Sequence, residues 1–309
     1  MTWGPGRDLV GELSEAVRNE GMKIGLYHNT TYSFYDDRYP DDKWVNYMNE
    51  SVKEIIDLYR PSVLWGDVRK GPAKTEEKNP LGAEHWNSKM LLAYFYNNAE
   101  TPDEVVANDR WGLGKNGNFL GDYITPEQEI PDKPPTRNWE TCITIGNSWG
   151  YVQNDDYKSG DTLIQMLIDV VSKGGNFLLN VGPKPNGTIP QPQLERIMEI
   201  GNWLDKNGEA IYGTRPWKTH REGEIWFTKK KKAIYLISMN RSNKKIEIRS
   251  LSKKAEPNLK IDHIEILSKN KEPEWVRKKK KLIINQRERE KFPHACTFKV
   301  ALQSEDKSK

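Results

Sequence analysis

Asp67 is the residue of this sequence best placed for chemistry, because it directly follows a short apolar run. Residues 63–65 are Val, Leu and Trp, which predict a buried strand that ends at Gly66. An amphipathic helix is predicted before it, over residues 43–59. A helix followed by a buried strand with a polar end is typical of the C-terminal rim of a β/α barrel, where such enzymes carry their catalytic groups. The alternative is that Asp67 forms a turn or caps the next helix.

Other polar side chains also stand at the ends of predicted strands. Tyr27 and His28 end a strand predicted over residues 22–28, and Arg110 follows a short apolar run at 105–107. A guanidinium group in this position suits a hydroxylated or anionic ligand. The structural alternatives are packing for Tyr27 and His28 and a salt bridge between loops for Arg110.

Two later loops add a carboxylate and an aromatic ring. Glu127 lies in a loop predicted over residues 121–129, where Pro126 imposes an extended or turn geometry just before it. Trp149 follows a strand predicted over residues 139–145 and has glycines on both sides in the sequence. Such a loop can turn the ring toward a ligand, and the apolar face of a sugar stacks well on it.

The elements that would position these groups alternate as helix and strand up to about residue 212. Helices are predicted at 8–20, 43–59, 87–98, 161–173 and 194–204, and residues 29–42 and 68–84 are predicted as loops at the rim of the site. This order indicates parallel βα units over residues 1–213. Beyond residue 214, short strands recur about every ten residues and predict an antiparallel β-sandwich over 214–309. The expected fold class is α/β, a β/α barrel followed by a β-sandwich.

Composition excludes several classes of protein. Charged residues make up 30% of the 309 residues, and no run of about 18 apolar residues could span a membrane. The two cysteines, Cys142 and Cys296, are expected as buried thiols. Lysine runs at 229–232 and 278–281 lack interleaved aromatic residues, so we expect hairpin tips that protect strand edges and no nucleic-acid partner.

Seven motifs, in this order along the chain, resemble those of the α-L-fucosidases of glycoside hydrolase family 29. Each motif is weak alone, but the ordered set is specific and covers nearly the whole chain. The motifs are residues 6–13, Gly-Leu-Tyr-His at 25–28, 63–67, Asn-Asp-Arg-Trp-Gly at 108–112, 139–140 with 148–151, 174–183 and 208–212.

The resemblance implies a retaining exo-glycosidase that removes terminal α-L-fucosyl residues from glycans, without a cofactor or metal. Such a mechanism uses one carboxylate as nucleophile and a second as general acid and then base, about 5 to 5.5 Å apart. The family pattern assigns the nucleophile to Asp67 and the acid/base to Glu127, with Glu140 as the runner-up. It assigns the lining of the fucose pocket to Tyr27, His28, Trp65, Arg110 and Trp149.

This sequence departs from the family at its N-terminal side. Family members carry further first barrel strands there, with a paired-His motif, and we find neither in this chain, so a partial barrel is expected. Missing strands would leave sheet edges of the barrel exposed. A homo-oligomer is kept as an open alternative to a monomer. The alternative function is therefore a truncated, catalytically inactive fucosidase-like protein with at most weak glycan binding.

Family resemblance also implies a lysosomal or secreted protein. The first residues show no apolar segment of signal-peptide type in the chain as given. Sequons at Asn29, Asn49, Asn186 and Asn240 permit N-glycosylation in the secretory pathway.

Overall fold

The computed structural model describes residues 6–29, 42–67, 83–112, 119–240, 245–285, 292 and 294–303. The chain divides into two compact units, Met1–Thr125 and Pro126–Lys309. Apart from their end residues, the predicted rim loops at 29–42 and 68–84 lie outside the described residues. No helix in the described ranges is long and apolar enough to cross a membrane.

The first unit contains a parallel three-stranded sheet with helices between its strands. The strand order is β1-β2-β3, and the register sets Tyr27 beside Trp65 and His28 beside Gly66. Polar residues at the ends of β1, β2 and β3 are thereby brought to one edge of the sheet. In chain order the elements are α1 (Leu9–Asn19), β1 (Gly25–His28), α2 (Asp42–Tyr59), β2 (Val63–Gly66), α3 (Ser88–Asn97), a 3-10 turn (Pro102–Glu104) and β3 (Val106–Ala107).

Local sequence explains where these helices begin and what they bury. Asp8 caps α1, as predicted, because its carboxylate accepts the backbone N–H of Gly11 at 2.8 Å. The apolar face of α2 packs with α3 over the strands, because its inward residues recur at helical spacing. The buried cluster consists of Val52, Ile56, Leu64, Leu91, Leu92, Phe95, Ala107 and Trp111.

The second unit begins with another parallel pair, β4 (Trp139–Thr144) and β5 (Gly175–Asn180). Between them runs α4 (Gly160–Ser172), whose first turn is capped by the Ser159 hydroxyl at 3.1 Å from the Thr162 N–H. Gly174 ends this segment with a φ of 80°, a left-handed conformation that glycine adopts without steric cost. The helix α5 (Gln191–Asn207) follows β5 and runs into a 3-10 turn at Gly208–Ala210.

Two antiparallel sheets complete the second unit. Their strand orders are β10-β13-β8-β7-β6 and β11-β12-β9, and apolar residues from both sheets form one buried cluster. The predicted C-terminal domain of antiparallel strands is confirmed, and its two lysine runs lie at the β7–β8 and β11–β12 hairpins. The strands are β6 (Arg215–Glu222), β7 (Ile225–Lys230), β8 (Ala233–Ser238), β9 (Lys245–Ile248), β10 (Ile261–Ile266), β11 (Glu274–Arg277), β12 (Leu282–Asn285) and β13 (Cys296–Leu302).

The helices α4 and α5 pack against the five-stranded sheet within this unit. Their apolar residues share a cluster with side chains of β7 and β8. Asp169 on α4 also accepts the indole N–H of Trp226 on β7 at 2.9 Å and pairs with Lys173 at 2.7 Å. Both cysteines are buried free thiols, as predicted.

Candidate active site

Asp67 lies at the end of β2 with a donor on each of its carboxylate oxygens. The hydroxyl of Tyr27 donates to Oδ2 at 2.8 Å, and Nη1 of Arg110 lies 3.3 Å from Oδ1. The side chain of Asp67 is 32% exposed and that of Arg110 is 15% exposed. Both carboxylate oxygens are therefore oriented by donors, while about a third of the side chain stays exposed.

Trp65 forms an aromatic wall beside this carboxylate. The guanidinium carbon of Arg110 lies 4.6 Å from the centroid of the indole ring, which is a cation–π contact. The ring of Tyr27 is 5.5 Å from the same indole. Thus four residues predicted from the sequence, Tyr27, Trp65, Asp67 and Arg110, come together in the first unit.

Arg110 is itself fixed by a second layer of hydrogen bonds. Its Nε donates to the Thr125 hydroxyl at 2.9 Å and its Nη2 donates to the Thr125 carbonyl at 3.1 Å. Thr125 in turn donates its hydroxyl and its backbone N–H to Oδ1 of Asp109, at 2.7 and 3.0 Å. Asp109 and Thr125 are both buried, so this network holds the guanidinium group in one orientation.

The peptide just before Asp67 is clamped by a side-chain amide. Asn108 accepts the N–H of Gly66 and donates to its carbonyl, each at 2.9 Å. The N–H of Asp67 donates to the carbonyl of His28 at 3.1 Å. Gly66 has no room for a side chain, because a Cβ there would lie 2.5 Å from the Trp111 ring. The backbone under the carboxylate is therefore fixed from three directions.

Protonation follows from this geometry. Partial burial and the hydrogen bond to Asp67 raise the pKa of Tyr27 to about 12, although the residue as a whole is 56% exposed. Tyr27 is thus a neutral donor at physiological pH. Burial lowers the pKa of His28 below its usual value, and its Nε2 lies 3.1 Å from the Ser51 hydroxyl on α2. The neutral imidazole of His28 therefore packs toward α2.

The second unit carries the remaining predicted residues. Glu127 is exposed and lies beside Cys142 in a short parallel bridge, next to Gln128, whose N–H donates to the Cys142 carbonyl at 2.9 Å. Glu140 is half-buried on β4. The bridge therefore places Glu127 alongside β4, the strand that also carries Glu140.

Trp149 lies in the loop after β4, and its indole is 44% exposed. The base of this loop is held by Lys158, whose Nζ donates to the carbonyls of Thr144 and Gly146 at 2.7 and 3.2 Å. The carboxylate of Asp155 accepts the N–H of Asn147 at 3.0 Å. The loop is thus anchored while its aromatic residue stays accessible.

Within the described ranges, no group of three or more His, Cys, Asp or Glu side chains could hold a metal ion.

Similarity to known proteins establishes the family of this chain. The α-L-fucosidase family model matches residues 1–209. The chain belongs to the α-L-fucosidase family. It is 37% identical over 250 residues to tissue α-L-fucosidase of Bos taurus, an alignment that covers 77% of this chain and 52% of that protein. The chain spans about half the length of the curated relatives it matches.

Solved α-L-fucosidases share the fold. Isoenzyme 1 from Paenibacillus thiaminolyticus matches with a TM-score of 0.82 and 26% identity, over 97% of this chain and 76% of that one. The α-fucosidase of Thermotoga maritima in complex with fucose matches with a TM-score of 0.78 and 34% identity, over 96% and 69%. The α/β architecture with a C-terminal sheet domain is therefore that of α-L-fucosidases.

Three residues that support this candidate site were not singled out from the sequence. Asn108 and Asp109 belong to the Asn-Asp-Arg-Trp motif, so the motif itself was the signal for them. Thr125 directly precedes Pro126 and Glu127, and a polar residue beside a candidate carboxylate was the only signal there. Their hydrogen bonds hold the backbone before Asp67 and the side chain of Arg110 in place. Such contacts between distant residues cannot be predicted from the spacing of residue types.

Proposed function

We propose that this protein is a retaining exo-α-L-fucosidase, which hydrolyses terminal α-L-fucosyl residues of glycans by two displacements. One observation carries the proposal: the carboxylate of Asp67 ends β2 with Tyr27 and Arg110 on its two oxygens, in a chain of the α-L-fucosidase family. Those donors hold the carboxylate in one orientation, as the positioning of a nucleophile requires.

In the proposed mechanism, Asp67 attacks the anomeric carbon and forms a covalent glycosyl-enzyme. Glu127 donates a proton to the leaving oxygen, then takes a proton from the water that releases fucose. Glu140 is the alternative acid/base. Trp65, Tyr27, Arg110 and Trp149 line the sugar site, and His28 is the remaining proposed pocket residue.

The proposed architecture is a β/α barrel over residues 1–213, followed by a β-sandwich over 214–309. Support comes from the alternation of helices with parallel strands β1 to β5 and from the fucosidase folds that match. Fucosylated glycoconjugates are the proposed substrates. A lysosomal or secreted location is proposed from the tissue and plasma fucosidases among the relatives.

The first experiment compares hydrolysis of an aryl α-L-fucoside by the wild type, Asp67→Ala and Asp103→Ala. Asp103 is an exposed aspartate of the same unit, in the 3-10 turn before β3, and serves as the matched control. We expect Asp67→Ala to lose on the order of 10³-fold or more in kcat, while Asp103→Ala keeps wild-type activity. A folded wild type without turnover would leave an inactive fucosidase-like protein, the alternative function.

Azide distinguishes the roles of the carboxylates. Azide added to Asp67→Ala should restore turnover and yield the β-fucosyl azide, because azide replaces the nucleophile on the opposite face of the sugar. With an activated leaving group, azide should rescue the acid/base variant and yield the α-fucosyl azide. Comparison of Glu127→Ala with Glu140→Ala then identifies the acid/base. Release of β-fucose as the first product would contradict a retaining mechanism.

A further inference from the structure

Charge is divided very unevenly along this chain. Residues 214–309 contain 27 Lys and Arg against 12 Asp and Glu, a net charge of +15. Residues 1–213 contain 21 against 32, a net charge of −11. A surplus of this size, confined to the C-terminal sheets, attracts anions to that part of the molecule.

Four lysines of these sheets pair with a carboxylate among the described residues. Lys218 pairs with Glu256, and Lys299 pairs with Glu209 at 2.9 Å. The carboxylate of Glu247 pairs with both Lys245 and Lys281. Such pairs are the ordinary arrangement of a solvated sheet edge.

Arg215, Lys229 and Lys231 differ from these paired residues. None of the three forms an ion pair with any residue in the part of the chain that the structure describes. All three line one groove of about 420 Å³, together with Lys230, and no Asp or Glu is among its described lining residues. The groove therefore concentrates positive charge that the described protein does not neutralise.

Strand register brings two of these cations directly together. Arg215 on β6 and Lys229 on β7 are partners in the antiparallel ladder, so both side chains leave the same face of the sheet. Lys231, two residues after Lys229, begins the hairpin turn. Like charges placed directly opposite each other destabilise a strand pair, and a bound anion would relieve that repulsion.

The floor of the groove is apolar. Trp217 and Ile234, on the same sheet face as Arg215 and Lys229, are buried at 9% and 3% exposure, and Leu259 and Leu302 complete the lining. A cationic rim over an apolar floor fits a ligand that has acidic substituents on a compact ring.

We propose that this groove binds an acidic saccharide, through the sulfate or carboxylate groups of a glycan. The saccharide part of the proposal rests on the proposed function, because a fucosidase meets its anions on glycans. Nucleic acid is disfavoured, since Trp217, the only aromatic residue among the described lining residues, is buried and offers no platform for bases. A membrane surface is disfavoured because none of the described lining residues is an exposed large apolar side chain.

The test compares the wild type, Lys229→Gln/Lys231→Gln and a control with the same change of charge, Lys279→Gln/Lys280→Gln at the β11–β12 hairpin. Isothermal titration calorimetry at 0.15 M salt would use a heparin-derived tetrasaccharide, its fully desulfated form and neutral chitotetraose. We expect the groove variant to bind the sulfated probe about tenfold more weakly, equivalent to about 1.4 kcal/mol, while the control changes less than about twofold. Titration with the desulfated tetrasaccharide shows whether the carboxylate groups of the saccharide are sufficient for binding.

Three results would overturn the proposal. They are no binding of either acidic probe by the wild type, equal weakening in both variants, and tighter binding of an oligothymidylate or of phosphatidylserine vesicles than of the tetrasaccharide. Equal weakening would indicate a general effect of net charge. The aryl fucoside assay is independent of the groove: saccharide binding without turnover refutes the proposed function alone, and turnover without saccharide binding refutes the groove alone.

Discussion

The hydroxyl of Thr125 offers a sharp test of how the site is held, because it is the link between Asp109 and Arg110. Replacing Thr125 by Val keeps nearly the same shape but removes the acceptor that Nε of Arg110 reaches at 2.9 Å and the donor to Asp109 at 2.7 Å. The backbone contact from Arg110 to the Thr125 carbonyl remains. The guanidinium group keeps one of its two contacts with Thr125 and is held less firmly toward Asp67.

The magnitude follows from the hydrogen bond that is lost. A hydrogen bond from a charged donor contributes about 1.5 to 3 kcal/mol, and the loss leaves a largely buried N–H without its partner. If that energy serves to aim Arg110 at the carboxylate of Asp67, kcat/KM falls about 10- to 100-fold. Thr125→Ser restores the hydroxyl and is expected to stay within about threefold of the wild type.

The assay is steady-state hydrolysis of an aryl α-L-fucoside, with urea unfolding of each variant in parallel. A merely structural role for Thr125 would lower the unfolding midpoint but leave kcat/KM of the folded enzyme unchanged. A folded Thr125→Val protein with kcat/KM within twofold of the wild type would therefore refute the positioning role. Equal losses in the Val and Ser variants would refute it as well, since only Val lacks the hydroxyl.

Three further predictions use the same two methods. Gly66→Ala should lower the unfolding free energy by about 1 to 3 kcal/mol and reduce turnover, because its Cβ would lie 2.5 Å from Trp111; unchanged urea unfolding would contradict this. Tyr27→Phe should lower kcat/KM about tenfold. The pKa of Tyr27 is raised to about 12, so its neutral hydroxyl stabilises the folded state fully below pH 10, and this stabilisation is lost as the pH rises from 10 to 12. The unfolding free energy of Tyr27→Phe should therefore lack this loss between pH 10 and 12. Asp169→Asn should cost about 3 kcal/mol in urea unfolding, since it leaves Lys173, 7% exposed, without its partner at 2.7 Å; a loss below 1 kcal/mol would contradict this.

Asp67 and its neighbours at the strand ends could be predicted from the sequence, because their position depends only on the order and direction of the strands. Parallel strands that end in polar residues bring those residues to one edge, so Tyr27, Trp65 and Asp67 could be placed together from their positions alone. The apolar run of β2 was long enough to mark a strand. The roles of all the candidate site residues stay predictions, and those of Glu127 and Glu140 were assigned from family motifs.

Other features depend on interactions that periodicity does not encode. The strand β6 contains Pro216 and four charged residues that do not alternate regularly with apolar ones, so its sequence does not predict a strand, although its pairing with β7 makes it one. Asn108 follows a strand of only two residues, too short to show which way a side chain points. Tertiary hydrogen bonds decide both cases, and a single sequence does not display them.

The clamp on Gly66 has a consequence for the order in which the site is assembled. The amide that holds this peptide comes 42 residues later in the chain, and the guanidinium that faces Asp67 comes 43 residues later. A growing chain therefore cannot orient its proposed nucleophile until Thr125 has been synthesised and this long loop has closed. Conversely, a local opening around Asn108 releases the carboxylate while the rest of the fold persists. On warming, turnover should accordingly fade before circular dichroism reports any loss of structure.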